Sequence, residues 1–593
     1  MTTSKFSRAA TGQKKQVQEP LLLSRTFMAI WVTAICSTGV HAFEIEGDSD
    51  VKVRWDNTIK YTAAWRLNNP DLAVANQNGN QPNVDFGDLS FSKGQINNRF
   101  DLLSELDVKY KNVGFRISGA AWNDSEYTKT SRDFPAAGAP NTQAAAMGGA
   151  NNRITQGAKD TMGQNGEIAD AFVYGKFDLG ERNLAVRAGK HSLIYGESIF
   201  LGANGIAAAQ GPVDAVKALS LPNVQFKEIA MPVKQISGSF SISPDVSVGG
   251  YVQYEWKEHR IPAAGSYFSA ADFVGNGSDL LLHSFGCVPS GPPPCGAPGY
   301  PFNGSTGAAS RGADLVGSDT GQWGFQLKFK AGDVDYGLYA AHYDDKSPIA
   351  VLNVGSIAAG GGNLGGGTYN LMYAKDISVY GASFSTVLGG TNVAGEISTR
   401  RNTPLVVPGD LIINSAIANA DNDKNTPYAR GNSLHLNMSA ISLFSGNGFW
   451  GGASLVGEFA YNQVLDVTYN PVFAPTAPNP LNDTHTNSAS AIRVVFQPEF
   501  FQVLPGVDLQ VPIGLGYGLS GRSVVTQLSP EHGGDITIGV NATINRTWKA
   551  GLSYAHYFGP AGSAPSAAPS TYAAYQQYYA DRDFIAFTLQ TTF

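Results

Sequence analysis

Hydrophobic and polar residues alternate along most of this chain. From Val51, apolar or aromatic side chains recur at Val53, Trp55, Ile59, Tyr61, Ala63, Trp65 and Leu67, separated by Lys52, Arg54, Asp56, Thr58, Lys60, Thr62 and Arg66. A period of two is the strand period, because successive Cβ atoms point to opposite faces. The next run sets Phe100, Leu102, Leu106, Val108 and Tyr110 opposite Arg99, Asp101, Glu105, Asp107 and Lys109. Lys111-Asn112 predicts a tight turn, from which Phe115, Ile117, Gly119 and Ala121 lead back. Further pairs are predicted at 168–179 with 183–191, 233–243 with 246–257, 320–330 with 333–343 and 376–388 with 391–401. Others follow at 435–444 with 451–463, 490–499 with 507–519 and 533–544 with 547–557, and a last strand at 582–593. In that last strand Ile585, Phe587, Leu589, Thr591 and Phe593 share one face. Bacterial outer-membrane β-barrels finish in this way, with one face of each strand toward lipid and the other toward a lumen.

The connections supply a second test. Short links at 111–112, 180–182, 244–245, 331–332, 389–390, 445–450, 500–506 and 545–546 alternate strictly with long ones. That order is the one an up-and-down barrel with short periplasmic turns and long external loops requires. The predicted fold is all-β: a transmembrane antiparallel up-and-down β-barrel of about 18 strands, with 16 as the nearest alternative. Residues 43–593 form a single domain with both ends in the periplasm.

Three long connections differ in character. The stretch 125–167 is rich in Ala, Gly and Asn and reads as an external loop. The stretch 192–232 holds Ile199, Phe200, Leu201, Ile206, Val213, Val216, Leu219, Leu221, Val224, Phe226, Ile229 and Met231, too apolar to lie in water. It is predicted to fold inward and narrow the barrel mouth, with Pro212 opening a short helix. The Asn/Asp-rich stretch from Asn68 to Asp88 carries oxygen ligands a calcium ion could use, but it lacks the spacing of a known calcium loop and reads as solvated.

The amino-terminal end adds a destination. Lys5, Arg8, Lys14, Lys15 and Arg25 precede an apolar run from Phe27 to Ile35, and Val40-His41-Ala42 offers a small-residue cleavage site. Residues 1–42 therefore read as a secretory signal peptide, with the mature chain starting near Phe43. Loss of those five basic residues and of Glu19 takes the net charge from −7 to −11, which argues against nucleic acid as a partner. Cys36 leaves with the signal. Cys287 and Cys295 bracket a Pro-rich loop and are predicted to close a disulfide in an oxidising compartment; a metal site there would have only His283 as a further ligand. No cofactor is indicated.

Catalytic patterns are missing from the sequence. There is no Gly-x-Ser-x-Gly and no His-Glu-x-x-His, and the eight mature histidines are scattered. His191, at the end of a predicted strand, is the best placed of them, and a lumen-facing role without catalysis is the reading preferred. Gly360-x-Gly362-x-x-Gly365 matches a dinucleotide pattern formally but opens no helix and reads as a flexible loop. The predicted lumen charges Arg54, Arg66, Arg99 and Arg116 mix with Asp101 and Glu105. Both signs on adjacent strands imply pairing across the lumen more than a single-sign ion filter, or charges that merely brace the wall.

Several separated motifs carry a family resemblance. Trp55-Asp56-Asn57-Thr58, Gly87-Asp88-Leu89-Ser90-Phe91 and Asn98-Arg99-Phe100-Asp101-Leu102 are followed by Gly189-Lys190-His191-Ser192-Leu193-Ile194-Tyr195-Gly196-Glu197-Ser198, Pro212-Val213-Asp214, Lys227-Glu228 and Asp581-Arg582-Asp583-Phe584. Together they resemble the proteobacterial outer-membrane family catalogued as domain of unknown function 1302. The resemblance implies a barrel in the outer membrane, and association with a periplasmic carrier protein and an inner-membrane lipid transporter. It supplies no established functional residues. From the inward segment, passage of small hydrophobic or lipid-like molecules across the outer membrane is expected, with Tyr195, Glu197, Phe200, Lys217, Phe226 and Glu228 lining the path. The alternatives are that the segment only plugs the barrel, or that the protein is a non-conducting docking component of a trans-envelope lipid export system. An enzyme is not expected.

Overall fold

The computed structural model describes residues 43–593 apart from 47–49, 76–80, 130–153, 222–224, 284–306, 354–367, 408, 415–416, 418, 472–480, 482–483 and 567–572. The signal segment, Cys287, Cys295 and the Gly360–Gly365 pattern lie outside the described residues.

Eighteen antiparallel strands close on themselves. In chain order they are β1 Val51–Arg66, β2 Gly94–Tyr110, β3 Val113–Asp124, β4 Gln164–Leu179, β5 Arg182–His191 and β6 Val233–Ser243. Next come β7 Val246–Gln253, β8 Trp323–Ala331, β9 Val334–Tyr343, β10 Ile377–Leu388, β11 Thr391–Pro404 and β12 Arg430–Ser445. The circuit is completed by β13 Gly452–Tyr469, β14 Ser488–Leu504, β15, β16 Gly534–Ile544, β17 Trp548–Phe558 and β18 Phe584–Thr592. Strand β15 is interrupted, running Val507–Gln510 and then Ile513–Ser520. Pro512 stands in the gap, where its missing N–H breaks the ladder. The barrel closes where β18 pairs with β1, from Thr592 opposite Thr58 to Phe584 opposite Arg66. The short strand Phe43–Glu46 continues the same row, with Phe43 opposite Trp55. Closure leaves no unpaired edge, which a sheet in hydrocarbon cannot tolerate.

The two faces of the wall differ as the alternation requires. Trp55 and Trp65 are 38% exposed, Phe100 56% and Leu338 47%, and apolar side chains point outward all around the circuit. Among the described residues no helix is long and apolar enough to cross a membrane. The inner face carries Arg400, His435, Asn437 and Glu458, all buried.

At the loop end the interior is packed. Lumen-facing Ala64, Ile96, Ala555, Phe584 and Ala586 join Phe91, Tyr127, Met162, Val216, Ala263, Tyr267, Phe268 and Tyr579 in one apolar cluster. A second sheet, unforeseen from the sequence, is built from three long connections. Leu411–Asn414, Ile349–Asn353, Thr368–Met372, Gly307–Arg311 and Leu280–His283 pair in that order. Ile349, Val351 and Met372 pack on Ala341, Tyr343, Ile377 and Val379 of β9, β10 and their ends. These connections are therefore not solvated loops.

The reading of Asn68–Asp88 as solvated holds for 68–73, which are largely exposed, and is corrected for 81–88, which are buried. Asp85 and Asp88 have no exposed surface, and Phe86 and Leu89 are 2–3% exposed. The reason is remote pairing: Arg66, at the top of β1, holds Asp88 at 2.7 Å and Asp581 at 2.9 Å, and donates to the carbonyl oxygens of Asp88 and Phe91. Arg582 adds a second guanidinium 3.5 Å from Asp88.

An outward apolar residue should be intolerant of charge. Ile538→Arg, on the outer face of β16, is expected to lower stability in lipid vesicles by about 2–4 kcal/mol if it lies near the bilayer midplane. A urea titration followed by Trp fluorescence checks this.

Candidate functional site

The segment between β5 and β6 crosses the barrel interior and is tied to the far wall. Glu458 on β13 accepts the Ser198 hydroxyl at 2.6 Å and the N–H groups of Ile199, Phe200 and Leu201 at 3.2, 2.5 and 2.8 Å. Glu396 on β11 accepts the N–H groups of Glu197 at 2.6 Å and Ile206 at 2.9 Å. Asn204 donates to Asn437 at 2.8 Å and accepts from Asn462 at 3.0 Å, while Arg400 donates to the carbonyls of Ala203 and Gly205. Consecutive backbone N–H groups turned onto one carboxylate make an anion nest, so each buried glutamate is solvated by the loop's own peptide groups. Gly196, at φ +96°, makes the turn that aims this stretch at Glu396.

Beyond the tether the chain turns back through two short helices. Asp214 caps Ala215–Ser220 by accepting the Lys217 N–H at 2.9 Å and also pairs with Arg260 at 2.8 Å. Gln225 and Glu228 cap Phe226–Ile229 reciprocally. Between the first helix and the inner faces of β1, β2, β3 and β18 lies a cavity of about 540 Å³. Its apolar side is formed by Val216, Leu221, Tyr267, Phe268 and Phe584, and its polar side by Lys60, Arg99, Asp101, Lys217, Glu228 and Arg260. Trp122 sits at the boundary, with the Arg99 and Arg260 guanidiniums 5.0 and 5.4 Å from its ring.

Of the six residues expected to line a path, Lys217 and Glu228 face this cavity. Tyr195 is buried against Tyr251 and Tyr339, with ring centroids 5.6 and 6.3 Å away. Glu197 stands 3.6 Å from Lys328, Phe200 lies in the tether, and Phe226 is buried beneath Gly202. Sequence reasoning missed Glu396 and Glu458. Glu396 shares the inward face of β11 with Arg400, and no sequence signal set either acid apart.

Pairing across the lumen is not what the charges do. Arg54 pairs with Asp56 at 2.7 Å, Arg99 with Asp101 at 2.7 Å, and Arg116 with Glu105 and, at 3.6 Å, Asp170. All these partners sit on the same or a neighbouring strand. Inward positions on adjacent strands are within side-chain reach, whereas an 18-strand lumen is too wide to span. Arg66 belongs to the buried cluster at the loop end rather than to an open lumen. His191 is buried, with one ring nitrogen 2.8 Å from the Ser237 hydroxyl and the other 3.0 Å from the Gly189 carbonyl. The carboxylate that would orient a catalytic histidine is replaced there by a peptide oxygen. His259 accepts the Val213 N–H on Nδ1 at 2.9 Å, and burial lowers its pKa to about 3, which keeps the ring neutral. Among the described residues no group of His, Cys, Asp and Glu is arranged to hold a metal ion.

The chain matches, over residues 23–593, the family described as Protein of unknown function (DUF1302). It belongs to that family. No curated protein matches the chain. Similar solved structures include OccAB4 of Acinetobacter baumannii, at 8% identity and TM-score 0.39, covering 91% of this chain and 98% of that one. A BenF-like porin from Pseudomonas fluorescens Pf-5 is similar at 10% identity and TM-score 0.37, with 91% and 98% covered. The outer membrane channel DcaP of Acinetobacter baumannii is similar at 8% identity and TM-score 0.34, with 93% and 100% covered.

Two outcomes follow from this geometry. Glu458→Ala leaves three backbone N–H groups, the Ser198 hydroxyl and the Asn437 amide without this acceptor, and is expected to cost roughly 3 kcal/mol, with Glu458→Gln costing less. Hydrogen exchange at Ile199–Leu201 would report the released tether. The second concerns Asp272, in the packed loop end, where burial pushes the carboxyl well above its ordinary 3.8 despite the Phe86 N–H it accepts. A raised folded-state value means the folded chain keeps a proton that the unfolded chain has lost. Its contribution is thus full at acid pH and disappears as pH rises from 3.8 through the folded value. Wild-type stability should therefore gain more than that of Asp272→Asn between about pH 7.5 and about pH 5.5, read as the shift in urea midpoint.

Proposed function

We propose that this barrel resides in the outer membrane and passes small, largely apolar molecules across it. The cavity beside the inward segment carries the reading: about 540 Å³ of space with an aromatic and aliphatic wall, set inside a barrel with an apolar exterior. A site of that size and lining shields a small apolar solute from water while a few polar groups orient it. The tether to Glu396 and Glu458 holds the cavity's inner wall in place, so the path is narrow and specific rather than a wide aqueous pore. Deleting residues 199–229 should abolish barrel-dependent uptake of hydrophobic compounds by whole cells and raise ion conductance in planar bilayers. Unchanged flux would count against the reading.

The packed loop end favours a second reading. An apolar cluster that joins lumen-facing wall residues to the loops suits a component that docks a periplasmic carrier without conducting. Co-purification of such a carrier, with no conductance in planar bilayers, would support it over the first.

A further inference from the structure

Charge around the cavity is unevenly matched. Arg99 is neutralised by Asp101 at 2.7 Å. Arg260 pairs with both Asp214 and Glu167, at 2.8 and 2.6 Å, and Lys257, outside the cavity lining, reaches Glu167 at 3.9 Å. The remainder is Lys60 and Lys217 against Glu228. Lys217 donates to the backbone carbonyl of Glu228 at 2.7 Å, not to its carboxylate, and that carboxylate accepts the Gln225 N–H at 3.2 Å. Among the described residues Lys60 has no hydrogen-bond or ion-pair partner. Its charged neighbours are Lys217, Arg99 and an Asp101 already engaged by Arg99. Two ammonium groups thus face one space, beside Val216, Tyr267, Phe268 and Phe584.

Like charges in a partly dry cavity repel more strongly than in water, and an unmatched buried cation is costly. A neutral apolar solute would desolvate both ammoniums and return nothing. A cation would add a third positive charge. The lining as a whole balances four cations with four carboxylates, but at this end an anion of charge one would cancel the local excess of Lys60 and Lys217 over Glu228, while its apolar part covers the aromatic wall. We propose that the cavity binds small monoanionic amphiphiles, with a carboxylate or similar singly charged head between Lys60 and Lys217 and an aliphatic or aromatic body against Val216, Tyr267, Phe268 and Phe584. This rests on the reading that the cavity takes apolar solutes, and adds the charge of their head group. Lys217 rides on the inward segment and Lys60 on the wall, so the bound head also bridges the two.

A matched series separates the two claims. 4-Phenylbutyrate, 4-phenylbutanamide and 4-phenylbutylamine share one apolar body and differ in charge. Their binding is measured by equilibrium dialysis against the full barrel in nanodiscs, with empty nanodiscs as the blank. The carboxylate is expected to bind about tenfold more tightly than the amide, with the amine weakest. Raising salt from about 0.05 to about 0.5 M should weaken the carboxylate alone. Lys60→Gln, Lys217→Gln and the pair should bring the carboxylate toward the amide and leave the amide unchanged; heat-modifiable gel mobility confirms that each variant is folded. If amide and carboxylate bind equally, the head-group assignment falls and the apolar cavity stands. If none of the three binds, both fall.

Discussion

Every strand of the barrel wall has a partner on both sides, and that closure is the constraint on which the rest depends. In hydrocarbon a free N–H or C=O finds no water, so a sheet survives there only if its last strand returns to its first. The β18–β1 seam does this over nine residue pairs, and backbone bonds between Asn57 and Phe593 in both directions extend it. The seam fixes which side chains face in. A shift of one residue would turn Lys60, Thr62 and Arg66 toward lipid and Trp55 and Trp65 toward the lumen. Both the cavity and the Arg66 cluster are consequences of that register.

Inside the barrel, charge is handled in two ways. At the tether, Glu396 and Glu458 are stabilised by peptide N–H groups, so the carboxylates also order the loop that solvates them. At the loop end, Arg66 and Arg582 meet Asp88 and Asp581 with almost no exposed surface. Removing one partner of such a cluster leaves the others buried and unmatched, which costs far more than the cluster contributes. The cluster is therefore better understood as fixing where 81–91 and 581–582 sit than as a source of stability. Its carbonyl contacts to Asp88 and Phe91 point the same way, since they specify backbone position.

The barrel itself was legible because the two-residue period survives in every wall strand, and short and long links alternate without exception. Even the interruption at Pro512 disturbs only one strand. The loop sheet was not legible. Ile349-Ala350-Val351-Leu352 is a continuous apolar run with both faces buried, and Leu411-Ile412-Ile413 a half-buried one at the sheet edge, so neither shows a period of two. The burial of Asp88 left no local trace either, because the guanidiniums that neutralise it, Arg66 and Arg582, come from opposite ends of the barrel sequence. Lys217 and Glu228 were found through the composition of the inward segment. Glu396, Glu458, Tyr267 and Phe268 depend on which strands and loops meet across the barrel, and a linear pattern carries no such information. The expectation of pairing across the lumen failed for a metric reason: neighbouring strands are close, and opposite walls are not.

The arrangement places the cavity between a fixed element and a packed one. One side is the inward segment, held to β11 and β13 by carboxylates that accept most of their hydrogen bonds from its backbone. The other is the apolar cluster under the loops, which shares Tyr127, Met162, Val216, Tyr267, Phe268 and Phe584 with the cavity lining. A solute lying against these side chains extends the loop-end core, and its occupancy is coupled to how tightly the loops pack. Because Val216 and Lys217 are adjacent on the short helix, any tilt that opens the apolar contact also moves an ammonium.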